Sequence, residues 1–277
     1  AQIGKAFRNE IVARQFIFRM REFEQMEMQF FIAPGTELDW FEKWKAQRMK
    51  WHLALGTPAN KLKFKDHDNL AHYANAATDI QFEFPFGFKE LEGIHSRTDF
   101  DLKSHQELSG KKLTYFDQEK NEAYVPYVVE TSIGADRMFL AMLSNNLKEE
   151  SVPDSKGEDS TRLVFKIHPA LAPVKCAVLP LVKNKEELTS KAKTIYDKLK
   201  LQFQCQYDDK DAIGRRYRRQ DAIGTPICIT VDFETLDDNC VTVRDRDTLV
   251  QQRVPIEKLS AIIAEKTDMS KVLDQLV

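Results

Sequence analysis

The pattern of apolar and polar positions divides the chain into two differently built parts. From Lys175 onward, apolar β-branched runs alternate with helical spacing. CAVLPLV is uniformly apolar and predicts a buried strand. Leu188, Ala192, Ile195 and Leu199 recur at 4-3-4 spacing, which lines up one face of a helix. FQCQYD alternates as a strand does. AIGRRYRRQDAIG predicts a short helix, with Gly224 near its end and Pro226 stopping it. PICITVDF and CVTVRDR predict two more strands. Ile256, Leu259, Ile262 and Ile263 mark a last helix. The order β-α-β-α-β-β-α predicts a compact α/β domain of about 100 residues.

The first part follows another pattern. Asp39 to Ala54, rich in Trp, Lys and Arg, predicts a helix. EFPFGF must bend at Pro85 and Gly87. LTYFD and YVPYVVETS predict strands. DRMFLAMLSNNL, after Gly134, is apolar around its circumference and predicts a buried helix. Strands clustered around inserted helices imply an α+β class. The polar run Lys148 to Arg162 lacks apolar periodicity and predicts a loop.

One stretch resists periodicity. FRNEIVARQFIFRMREFEQME, Phe7 to Glu27, mixes arginines and glutamates with phenylalanines and methionines. As a helix, Phe16, Met20, Phe23 and Phe30 share a face, and Arg19–Glu22 and Arg21–Glu24 are surface pairs. As a strand, one face carries Arg19, Arg21, Phe23, Gln25 and Glu27; the other carries Phe18, Met20, Glu22, Glu24, Met26 and Met28. The pattern leaves the two level. Only the strand lines up guanidinium groups, a ring and a carboxylate, a set suited to a nucleotide.

Composition narrows the possibilities. A net charge of −2 over 277 residues steers the chain toward neither nucleic acid nor an anionic membrane. No apolar run approaches the ~20 residues of a membrane span, and the AQIGK start carries no leader pattern. Cys176, Cys205, Cys228 and Cys240 form no C-x-x-C pair and are expected to be reduced thiols in a cytoplasmic protein. The six histidines show no metal-binding spacing and are assigned neither to metal nor to acid–base chemistry. Phosphate-cradling glycine patterns are absent.

GKAFRNEI followed by FIFRMREFEQME resembles motif 2 of the class II aminoacyl-tRNA synthetases, specifically the glycyl-tRNA synthetases of the dimeric type. FPFGFKELEGIHSRTDFDLKSH, YVPYVVETSIGADR and AIGRRYRRQDAIGTPICITVDFETLDDNCVTVRDRDT are similar to that family's later blocks, in the same order. The resemblance implies an antiparallel sheet flanked by helices over residues 1–165, with a helical insertion at about 36–80, and an α/β anticodon-binding domain over 166–277. It favours strand over helix for Phe16 to Phe31. Motif 1 has no counterpart here, so the resemblance also implies a piece of a longer, homodimeric protein.

The implied reaction joins ATP and glycine into glycyl-adenylate, then passes glycyl to tRNA(Gly). By the resemblance Arg8 bridges the α-phosphate and the glycine carboxylate, Glu10 accepts from the adenine amino group, and Phe23 stacks on adenine. Arg137 of GADR meets the γ-phosphate, and Glu90 holds Mg²⁺ on the phosphates. ATP contacts fall on Arg8, Asn9 and Glu10, on Phe18, Arg19, Met20, Arg21, Glu22 and Phe23, on Glu90 and Leu91, and on Gly134, Ala135, Asp136 and Arg137. Glycine contacts fall on Phe23, Glu24, Gln25, Met26 and Glu27, on Arg97, and on Glu130, Thr131, Ser132, Ile133 and Gly134. Arg215, Arg216, Arg218 and Arg219 are expected to meet tRNA; by themselves they read as a solvated helix face, as Glu90 reads as a surface carboxylate. Thr131 stands where the family often has Pro, and Ala222 where it often has Glu. The rival expectations are a non-catalytic synthetase-like nucleic-acid-binding protein, of the polymerase accessory-subunit type, and an inactive tRNA-binding fragment.

Overall fold

The computed structural model describes residues 1–153 and 159–276. The chain forms two compact units, Ala1–Ser144 with Leu276, and Asn145–Gln275.

The first unit is built on a six-stranded sheet in which every neighbouring pair is antiparallel. Its strands are β1 (Gln2–Phe7), β2 (Glu22–Ile32), β3 (Leu62–Asp66), β4 (Ala76–Phe84), β5 (Gly87–Thr98) and β8 (Tyr127–Gly134), in the order β1-β2-β8-β5-β4-β3. Helices α1 (Glu37–Ala54), α2 (Phe100–Ser109) and α3 (Ala135–Asn146) and the small hairpin β6 (Tyr115–Asp117) and β7 (Glu122–Tyr124) complete it. The stretch 36–80 is thus α1 followed by β3 and the start of β4. The turn between β4 and β5 falls on Pro85 and Phe86, and Gly87 takes φ +98, which a side chain resists.

Strand alternation makes this sheet two-faced. Ile80, Phe82, Ile94, Val129 and Ile133 are buried, and α1 packs against β4, β5 and β8. The intervening residues Asp79, Gly93, His95, Glu130 and Ser132 line an open cleft on the other side. One charge breaks the apolar pattern. Glu92 is wholly buried, and α1 supplies its partners: Arg48 Nη2 donates at 3.2 Å, and His52 Nε2 bonds at 2.7 Å. Burial alone would raise the Glu92 pKa; the His52 hydrogen bond and the Arg48 charge outweigh it and hold the carboxyl below its ordinary value.

The segment that periodicity left undecided is resolved. Glu22–Ile32 is strand, and Phe16–Phe18 is one turn of 3₁₀ helix. Residues 8–21 connect β1 to β2, so Arg19 and Arg21 belong to this connection and do not continue the strand face. Helix α3 also departs from expectation: Met138 and Ala141 are buried, yet Phe139 is 63% exposed, so the helix is one-sided.

The second unit holds a five-stranded sheet of β11 (Cys176–Pro180), β12 (Cys205–Tyr207), β13 (Ile227–Val231), β14 (Cys240–Asp245) and β15 (Gln251–Pro255), in the order β12-β11-β13-β14-β15. Helices α4 (Glu186–Leu199), α5 (Ile213–Ile223), α6 (Glu234–Asp238), α7 (Leu259–Lys266) and α8 (Ser270–Leu273) accompany it. All four apolar positions of α4 are buried, and α5 ends at Gly224 with φ +84, as the pattern predicted. The polar run Lys148 to Arg162 is no simple loop: β9 (Leu147–Pro153) pairs with β10 (Asp159–Phe165), while 154–158 lie outside the described residues. Its polarity misled because the charges pair across the strands. Arg162, 2% exposed, donates to Glu150 at 2.7 Å and to Asp221 of α5 at 3.1 Å, and Asp221 also takes two bonds from Arg244. The strand β15 and the short helices α6 and α8 escaped the sequence reading.

Two consequences are measurable. Asp221→Ala strands the buried Arg162 and Arg244 charges and is expected to cost roughly 3–5 kcal/mol in chemical denaturation. The Glu92 contribution is in place above the ordinary carboxylate pKa and is lost as pH falls through its depressed folded value. Denaturation midpoints should therefore fall on acidification, with a shallower slope in Glu92→Gln.

Candidate functional site

The open face of the first sheet carries two adjoining groups of side chains. The first surrounds a cleft between the connection 8–21 and the start of α3. Arg8 follows β1, and its guanidinium lies 5.5 Å from the centroid of the Phe23 ring. From the other side Arg137, in the first turn of α3, packs 4.9 Å from the Phe18 ring. Arg137 is aimed by three bonds: to the Phe18 carbonyl at 3.2 Å, the Glu90 carbonyl at 3.3 Å and the Glu90 carboxylate at 3.2 Å. Phe18 in turn meets Phe84 and Phe86 edge-on, so the β4–β5 turn supports it.

The arginines of the connection divide their work. Arg21 donates to the carbonyls of Glu10 and Ile11 at 2.9 and 3.1 Å, and its own carbonyl accepts from Arg8 N–H at 3.0 Å. It therefore holds the loop shape. Arg19 lies 3.6 Å from the Glu10 carboxylate. Glu22 pairs with Lys5 at 2.9 Å on the exposed side of β1 and β2. Asn9 is exposed in the connection, while Met20, Glu24 and Asp136 line the cleft beside Glu10. Leu91 is buried, and Ala135 opens α3.

The second group lies on β2, β8 and β5. Register puts Glu27 opposite Ser132, Gln29 opposite Glu130 and Gln25 opposite Gly134. Gln25 Nε2 donates to Glu27 at 3.0 Å and also to the Ser132 hydroxyl. Gln29 Nε2 donates to Glu27 and, at 2.8 Å, to Glu130 Oε2. Arg97 lies 3.2 Å from the same Glu130 oxygen, is held by Asp101 at 2.8 Å, and stacks 4.0 Å from the Tyr73 ring. Burial works against the Arg97 charge, but the Asp101 hydrogen bond and Glu130 leave its pKa above the ordinary value. Two carboxylates thus stand together, balanced by amides and one guanidinium, and lined toward open space. Thr131 and Ile133 alternate away and are buried, and Met26 likewise falls between the cleft-facing Gln25 and Glu27.

Residues outside the expected set share this wall. Gln29, His67, Tyr73, Asp79 and His95 line the cleft. Continuing the β2 alternation past Glu27 reaches Gln29, and alternation through DIQFEF reaches Asp79. No spacing announces the histidines. Asp79, raised above its usual range by burial, bonds His67 at 2.9 Å. Among the described residues no cluster of three or more His, Cys, Asp or Glu side chains is arranged to hold a metal ion.

In the second unit the four clustered arginines separate. Arg216 is 1% exposed and donates to the Pro180, Leu181 and Asp208 carbonyls, so it is a structural brace and no surface contact. Arg218 donates to Ser160 at 2.7 Å. Arg219 is clamped by Asp208 and Asp211, both at 2.8 Å. Arg215, its side chain 78% exposed, is the most open of the four. Close together in sequence, the four are separated by helical periodicity and by the DDKD acids before α5.

Residues 1–146 match the family description "tRNA synthetase class II core domain (G, H, P, S and T)", and residues 175–266 match "Anticodon binding domain". The chain is 55% identical to a glycine–tRNA ligase of Chlorobaculum tepidum over 267 residues, 96% of this chain and 56% of that protein. It is 52% identical to that of Agathobacter rectalis, over 96% of this chain and 57% of the relative, and 54% identical to that of Macrococcus caseolyticus, over 96% and 56%. The chain thus spans somewhat over half the length of these curated relatives.

The arginine geometry gives a direct contrast. Arg216→Ala leaves buried carbonyls unpaired and is expected to cost roughly 1–3 kcal/mol in thermal denaturation. Arg215→Ala is expected to stay within about 0.5 kcal/mol of the parent.

Proposed function

Since the chain belongs to the class II aminoacyl-tRNA synthetases with the G, H, P, S and T core domain, we propose that its protein is a glycine–tRNA ligase, forming glycyl-adenylate from glycine and ATP and passing glycyl to tRNA(Gly). One observation carries this reading. A cleft in which Arg8 and Arg137 lie against aromatic rings, suited to a nucleotide, adjoins a carboxylate pair suited to an ammonium, and Gln25 lines both.

The chemistry needs two anions, the glycine carboxylate and the α-phosphate, brought together and neutralised. Arg8, its guanidinium beside the Phe23 ring, would bridge them. Phe23 supplies the stacking surface for adenine, and Glu10 the acceptor for its amino group. Arg137, already aimed by Phe18 and Glu90, would meet the γ-phosphate. Glu90, one of the carboxylates that line the cleft, fits a hard cation held mostly by phosphates and water. Mg²⁺ bound there would offset charge building on the pyrophosphate.

Glycine offers no side chain to grip. Glu27, Glu130 and Ser132 would hold its ammonium, with charge-assisted bonds of the stronger kind. A binding pocket alone separates substrates differing by one methyl only ~10–200-fold, so rejection of alanine must rest on a clash at the α-carbon. For tRNA, Arg215 is the open contact within α5. Homodimerisation and a cytoplasmic setting follow from the same reading; the four free thiols agree with the latter.

Glycine-dependent ATP–pyrophosphate exchange tests the proposal, on this chain and on one extended upstream. Ser132→Ala and Glu130→Ala should each lower exchange roughly ten- to a hundredfold. Near-parental exchange in both variants would overturn the assignment, and exchange absent from both lengths would favour a non-catalytic nucleic-acid-binding protein.

A further inference from the structure

The acceptors around the proposed ammonium position are unevenly used. Glu130 Oε2 receives Gln29 and lies beside Arg97, while the described contacts of Glu130 Oε1 include only His95 Nδ1, at 3.7 Å. That separation is too long for a hydrogen bond. His95 Nδ1 is itself buried without a hydrogen-bond partner. Two polar atoms thus stand side by side at the cleft wall, neither satisfying the other. A buried polar atom left unpaired costs roughly 1–3 kcal/mol, so a site that keeps one is poised to receive a ligand.

The surroundings hold the ring there. Gly93 opposes Ser132 on β8 and Asp79 on β4. A Cβ at Gly93 would stand 2.8 Å from His95 Cε1, so only glycine leaves room for the imidazole. The His67 ring meets His95 edge-on at 5.7 Å, and His67 is fixed by Asp79.

We propose that His95 Nδ1 and Glu130 Oε1 form an acceptor pair that takes one N–H of the substrate ammonium between them, making His95 an amino-acid-binding residue. The assignment rests on the proposed glycine site and adds a residue to it. It requires the imidazole to be neutral, with the proton on Nε2. Burial, the nearby His67 and Arg97 push the His95 pKa below the ordinary histidine value, against the opposing pull of Asp79 and Glu90. Glu130 faces the ring from β8, Asp79 from β4 and His67 from beyond β3. Protonation would turn Nδ1 into a donor to Glu130 Oε1. The ammonium would lose both acceptors at once.

The test is exchange kinetics with amino acid and ATP varied separately. His95→Phe keeps a ring and removes the acceptor; KM for glycine should rise roughly ten- to a hundredfold while KM for ATP stays within twofold. In the parent, KM for glycine should climb as pH falls through the His95 pKa, and that climb should vanish in His95→Asn. Gly93→Ala, which displaces the ring, should raise KM for glycine in the same direction. A KM for glycine within twofold of the parent in His95→Phe overturns the acceptor pair and leaves the ligase reading intact. If another amino acid drives exchange with the same His95 dependence, the pair stands and the glycine reading falls. Independently of turnover, glycine binding should depress the His95 pKa seen by NMR titration of the ring. No glycine-dependent change in that titration overturns the proposal.

Discussion

The candidate site depends on the pairing of Glu22–Ile32 with Tyr127–Gly134. Their register sets Glu27 against Ser132, Gln29 against Glu130 and Gln25 against Gly134. Side chains on a strand alternate, so a slip of Glu22–Ile32 by one residue would turn Gln25, Glu27 and Gln29 toward α1 and bring Met26 into the cleft. The register is protected from behind. Val129, Ile133 and Ile94 are almost wholly buried, and moving them into water would forfeit the burial that stabilises the unit.

That pairing creates an electrostatic difficulty and resolves it with neutral donors. Glu27 and Glu130 are brought together by their opposing strands, and like charges at such range repel. Gln29 donates to both carboxylates, Gln25 to Glu27, and Arg97 faces Glu130. Amides quiet the repulsion without cancelling the charge, so the pair retains a net pull on a cation. Among the described residues, Arg97 is the guanidinium that reaches Glu130, and it is tethered to Asp101. The result is a pair of carboxylates beside a cleft in which Arg8 and Arg137 lie against aromatic rings.

Both units also place charge inside their packing, under the same condition. Glu92 sits among apolar residues because Arg48 and His52 of α1 reach it. Asp221 sits beneath β10 and β14 because Arg162 and Arg244 reach it. Each polar cluster fixes how one helix lies on one sheet, since any other placement would leave a charge buried alone. This accounts for Arg216 as well: a guanidinium on an apparently solvent-facing helix is spent on three carbonyls within the unit.

The sequence by itself determined the two-part organisation, the α+β class, the α4 face and the cap at Gly224, because these rest on local spacing and on residues whose backbone preferences are strong. The family blocks pointed to β2 and to Arg8, Arg137, Glu27, Glu130 and Ser132, which line the two clefts, and alternation alone would have added Gln29. What only the tertiary structure decided is where a charge finds its partner. The hairpin β9–β10 looked like a loop because Arg162 is satisfied by Asp221, 59 positions away. Arg21, expected among the ATP contacts, donates to the loop carbonyls of Glu10 and Ile11, which no spacing announces. His95 looked like an ordinary histidine until Gly93, Asp79 and Glu130, drawn from three strands, were seen around it. Apolar burial follows a period that one strand or helix carries within itself, whereas a polar group's role is set by whichever distant donor or acceptor the fold brings within about 3 Å.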